Sequence, residues 1–151
     1  MSEADVFSWC VVRLGTDLLA FEVGIVGEVL PAAPVTILPR CPAGVLGLIS
    51  RRGQPLAVVD SRRLFDLPPV AMGSSPLLVL RTAVTLAALP IDACAGVLAG
   101  DPTTYRPAAR TAGEPPWVAG FQPLPGLGIA TVVGTADLLR RLDRLRFATA
   151  A

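Results

Sequence analysis

The chain contains no histidine and no lysine. Without histidine there is no phosphoacceptor imidazole, no Ser-His or Cys-His nucleophile pair, and little from which to build a catalytic zinc site. Carboxylates are scattered as singles, so no acid–base pair or metal cage is in view either. Cysteine is scarce: Cys10, Cys41 and Cys94 are an odd number, far apart, with no Cys-x-x-Cys. That argues against a disulfide framework or metal cluster and reads as three small buried hydrophobes in a reducing compartment. Only 17% of residues are charged and the net charge is +1, which leaves no field of one sign to gather nucleic acid or acidic lipid. Aromatics are few as well. Phe7, Trp9, Phe21, Phe65, Tyr105, Trp117, Phe121 and Phe147 lie mostly inside apolar stretches, not interleaved with basic residues as stacking on single-stranded nucleic acid requires. Long apolar runs are missing too: residues 76–89 and 91–100 are interrupted or separated by Arg81, Pro90 and Asp92, so no membrane span is expected. The opening residues, MSEADVFSW, carry acids and lack the basic and apolar regions of a secretory signal.

What is present is a chain of 151 residues, 52% hydrophobic, enough for one domain with a real core. All thirteen basic residues are arginine, which favours planar, bidentate pairing at exposed contacts. The pattern is one of many short strands. Residues 7–14 are apolar and β-branched, stop at Gly15-Thr16-Asp17 and resume at 18–23, as in a hairpin. Residues 25–30 read as either a short helix or a strand, ended by Pro31 and Pro34. Residues 45–49 and 56–59 are apolar runs flanking a Ser50-Arg51-Arg52-Gly53 turn, and Asp60 is placed to cap one helical turn after them. Residues 68–75 form a joint rich in Pro, Gly and Ser. Strands are expected again at 77–81, 84–89, around Val97, at 118–121 and at 127–133, with a polar, proline-rich loop at 101–116. The end reads as a helix: Thr135 can cap it, Leu138, Leu139, Leu142 and Leu145 share a face, and Asp137 and Arg141 can pair at i, i+4. Arg140, Arg141, Arg144 and Arg146 read as a solvated face rather than a nucleic-acid patch.

The densest pattern lies in residues 37–65, ILPRCPAGVLGLISRRGQPLAVVDSRRLF. Its order resembles the signature of CheW-like domains: Pro42 and Gly47 match a Pro-x-x-x-x-Gly segment, Arg52-Gly53 an Asn-Leu-Arg-Gly turn, and Asp60-x-Arg62 a strand end in Asp-x-Arg. The resemblance extends over residues 7 to 146. Leu14, Gly15, Phe21 and Val23 match the family's opening, Val26-Gly27-Glu28-Val29 its Val-x-Glu-Val stretch, and Ile91-Asp92-Ala93-Cys94 its Val-Asp-x-Val segment. Ala119-Gly120-Phe121 and TADLLRRL are similar to its close. The chain departs from the pattern at Ser50 and Arg51, at Gly96, and at Gly134-Thr135.

The resemblance implies a mainly β fold. It consists of one domain over residues 5–147, with two SH3-like barrels (mainly about 18–67 and 76–134) and a C-terminal helix at 135–147. It implies an adaptor that catalyses nothing and needs no cofactor or metal. Such an adaptor joins chemoreceptor tips to the regulatory domain of a CheA-type histidine kinase in cytoplasmic arrays, without inserting in the membrane or binding nucleic acid. The same module in a pilus, gliding or second-messenger pathway, with one partner retained, is the alternative. Arg52, Glu28, Val26, Val29 and Arg51 are the candidate partner-binding residues, with Glu28 expected to hold Arg52. Gly47, Gly53, Asp60 and Arg62 are expected to serve the fold, the glycines through backbone geometry and Asp60 as a cap.

Overall fold

The computed structural model describes residues 7–68, 75–109 and 113–147, the side chains of 146 and 147 excepted. The strands are β1 (Ser8–Leu14), β2 (Asp17–Glu22), β3 (Val26–Leu30), β4 (Val45–Arg51), β5 (Gln54–Val59), β6 (Leu77–Arg81), β7 (Leu86–Pro90), β8 (Ala93–Ala99), β9 (Arg106–Pro107), β10 (Val118–Leu124) and β11 (Gly128–Val133). A short helix α1 (Ser61–Leu64) follows β5, and α2 (Thr135–Phe147) ends the described chain. The ambiguous segment 25–30 divides into a 3-10 turn, Val23–Ile25, and strand β3. Most of the joint read at 68–75 lies outside the described residues.

The strands form two sheets, in the orders β8-β1-β2-β11-β10-β9 and β3-β6-β7-β5-β4. This division differs from the expected one. The barrels were expected to divide near residues 68–75, but β6 and β7 join β3–β5, while β1 and β2 pair with β8 and β11 from the far end of the chain. Each sheet therefore takes strands from both sides of the joint.

Alternation along the strands explains why they read as unbroken apolar runs. In β1, Cys10, Val12 and Leu14 enter a large cluster between the sheets, while Trp9 and Val11 enter a second cluster inside the six-stranded sheet. Leu19 and Phe21 of β2 likewise face the shared cluster, and Leu18 and Ala20 the inner one. In β6, Leu78 and Leu80 enter the shared cluster and Leu77 and Val79 a third, inside the five-stranded sheet. Strands covered on both faces need apolar side chains at every position. Helix α2 adds the fully buried Leu138 and Leu142 to the shared cluster, as the leucine spacing predicts.

Polar contacts reinforce the joint between the sheets. Asp92, in the link from β7 to β8, accepts from the Gly15 N–H at 2.6 Å and from Arg62 Nη2 at 3.2 and 3.3 Å. Arg62 therefore ties α1 to the β1–β2 turn through one carboxylate. Asp92→Ala, which removes two solvent-exposed hydrogen bonds that water can partly replace, is expected to cost about 1 kcal/mol. Asp92→Asn, which keeps an acceptor for Gly15, should cost less, and urea denaturation of the two variants compares them. The C-terminal helix pairs differently from expectation. Arg140, not Arg141, meets Asp137, and Arg141 reaches across to Leu64 O at 2.8 Å and Asp66 at 3.1 Å. That choice fastens α2 to α1.

The cysteines separate by environment. Cys10 is buried, but Cys41 is half-buried and Cys94 exposed, so burial holds for only one of the three. Burial first, and then neighbouring Cys94, push the Cys10 thiol up to about 12. A folded-state value raised above the ordinary 9.0 stabilises the protein below pH 9, and that contribution fades as pH rises towards 12. Since thiolate is the reactive form, iodoacetamide at pH 8 is expected to label Cys94 in the native protein and Cys10 only after unfolding, as peptide mass mapping would read.

Candidate functional site

Residues 45–59 form a tight hairpin in which Arg51 pairs with Gln54, leaving Arg52 and Gly53 as its two-residue turn. Both have positive φ, +51° and +76°, the geometry that joins twisted strands with least splay. Glycine adopts it freely, whereas arginine gives up about 1–2 kcal/mol there. Gly47 has a different reason. The chain before β4 bridges back onto it through Thr36 and Leu48, and a β-carbon at Gly47 would run into the Thr36 carbonyl oxygen and stand 2.8 Å from Val35 Cγ1. Asp60 caps α1 as expected, accepting from the Arg63 N–H at 3.3 Å.

Glu28 pairs with Arg51, not with Arg52 as expected. Arg51 is the last residue of β4, and its side chain turns back across the sheet, while Arg52 occupies the exposed turn. The pair has a consequence for shape. Glu28 lies on β3 and Arg51 on β4, at opposite ends of the five-stranded order. Four strand spacings on a flat sheet would hold them about 19 Å apart. Contact between them requires the sheet to curl strongly, and Leu30 of β3 and Leu46 of β4 pack on its one inner cluster.

The curl leaves two depressions beside the hairpin. One, of about 230 Å³, is lined by Arg51, Arg52, Gln54, Pro55, Leu56, Arg81 and Leu86. The other, of about 280 Å³, is lined by Thr36, Leu48, Ile49, Ser50, Gly53 and Pro55. Desolvation, then Arg52 and Arg81, push the Arg51 guanidinium's pKa down, as crowding of like charges does. The two candidate valines part company: Val26 packs against the cluster between the sheets, whereas Val29 is 39% exposed. Arg62 stays with Asp92 and Gly15 and is not among the residues that line either depression. Arg81 was not singled out from the sequence. Its signal was there, as the one charged residue closing an otherwise apolar strand.

Two sheets sharing one core, the five-stranded one curled, with an ion-paired rim and shallow mixed clefts, define a mainly β module. The CheW-like domain profile matches residues 8–143, and the chain belongs to that family. The crystal structure of the scaffolding protein TtCheW from Thermoanaerobacter tengcongensis is similar in fold, with a TM-score of 0.68 at 21% sequence identity. The match covers 84% of this chain and 88% of that one. No curated protein sequence matches. Among the described residues no helix is long and apolar enough to cross a membrane.

Proposed function

We propose that this protein is a non-enzymatic chemosensory adaptor of the cytoplasm, coupling chemoreceptor tips to the regulatory domain of a CheA-type histidine kinase. The observation that carries the reading is the Glu28–Arg51 pair beneath the motif turn, which fixes the rim on which Arg52 is displayed. Arg52 adopts a left-handed conformation better suited to glycine, at a backbone cost, and such strain tends to collect at functional positions. Exposed Val29, next to Glu28 on β3, points to the opposite face of the strand and supplies an apolar contact there. A small buried centre with a polar rim is what a reversible signalling interface needs.

Affinity capture from the host cytoplasm tests the reading. Wild type is expected to retain both kinase and receptor. Arg52→Ala is expected to weaken capture of at least one by about thirtyfold, the roughly 2 kcal/mol at which an interfacial arginine counts as a hot spot. Receptor without kinase would leave a one-armed adaptor of another chemosensory pathway. Neither partner retained by wild type would end the proposal.

A further inference from the structure

The cleft between the β4–β5 hairpin and the end of β6 is lined by three arginines, Arg51, Arg52 and Arg81, and by no carboxylate. Arg51 is paired with Glu28, but neither Arg52 nor Arg81 has an acidic partner within ion-pair distance among the described residues. The Arg81 side chain folds over β3, its Nε 3.5 Å from where a β-carbon of Gly27 would stand, next to Glu28. Two arginines without an acidic partner, Arg52 and Arg81, therefore line one opening together with Pro55, Leu56 and Leu86.

We propose that this cleft docks an acidic segment of a partner protein, two of whose carboxylates pair with Arg52 and Arg81 while an apolar neighbour covers Pro55 and Leu86. The inference rests on the adaptor reading for there being a protein partner at this rim, and it names what that partner must carry. Charge complementarity selects carboxylates, since guanidinium forks bind them bidentately. The mixed lining selects a peptide over a free anion, because an inorganic ion leaves the apolar floor uncovered. Arg51 contributes by engaging the Glu28 carboxylate itself, which leaves Arg52 and Arg81 without an acidic partner among the described residues. If Glu28 paired with either, the cleft would lose part of its attraction for an acid.

Titration of the protein with a synthetic peptide bearing two glutamates beside a leucine, against its twin with glutamines, reads the cleft directly through the arginine Nε–H resonances. The acidic peptide is expected to shift Arg52 and Arg81 saturably and the twin to leave them unmoved. Arg81→Gln and Arg52→Gln are each expected to weaken binding by about fivefold, as exposed ion pairs allow. Raising the salt from about 0.05 to 0.3 M should weaken it further by screening. Equal binding of the two peptides, or saturation by inorganic phosphate with no response to the acidic peptide, overturns the proposal. Arg81→Glu, compared with wild type in the capture experiment, separates the two readings. Partners retained equally by both, whatever the salt, count against the acidic dock and leave the adaptor standing. Partners missing from wild type count against the adaptor, while the titration still judges the cleft.

Discussion

Phe65→Ala is expected to lose about 3–5 kcal/mol of stability, the range for removing a buried phenyl ring. Phe65 is 3% exposed and stands edge-on to Phe21 of β2 at 6.0 Å and to Trp117, just before β10, at 5.0 Å. It leaves α1 on the side of the five-stranded sheet and reaches the aromatic rings of the other. Its loss opens a cavity between two layers that cannot both close in, because Leu64, Leu138 and Leu142 hold them apart. Urea denaturation is the measurement, and Phe65→Leu should recover much of the loss. A cost under about 1 kcal/mol would mean that the shared cluster contributes little to holding the sheets together.

Gly47→Ala is the second large effect. The new methyl would meet a carbonyl oxygen of the backbone, which cannot swing aside as a flexible side chain can. A cost near about 3 kcal/mol, the upper end of overpacking penalties, is expected. Gly53→Ala is a useful comparison, since nothing lies within 4 Å of its missing β-carbon and only its φ of +76° resists the change. It should cost about 1–2 kcal/mol, the penalty of a left-handed residue. If the two variants cost the same, the close approach of Thr36 is not what holds Gly47.

Much of this was legible along the chain, and the illegible parts share a cause. Local chemistry wrote the Gly15 hairpin, the Asp60 cap, the Arg52-Gly53 turn and the leucine face of α2 directly into neighbouring residues. Pairing at long range left no such mark. Strands β6 and β7 follow the proline-rich joint, so they read as the start of a new unit, yet their bonds run back to β3 and β5. Adjacent arginines posed the same difficulty on a smaller scale. The motif placed a charge opposite Glu28, but whether Arg51 or Arg52 would reach it depended on hairpin register. A two-residue turn puts Arg51 on the strand and leaves Arg52 at the tip. On α2, Asp137 could serve Arg140 or Arg141, and tertiary contact with Leu64 and Asp66 decided between them.

The most direct test of the account is reconstitution. Purified receptor fragments and the CheA-type kinase of the same host would be mixed with wild-type protein and with Arg52→Glu, and kinase and receptor in the assembled fraction measured after sedimentation. The account predicts that wild type brings both down together and that the charge-reversed variant, folded to the same Tm, fails to join at least one. Kinase and receptor that assemble equally with either protein, or with none added, would contradict it.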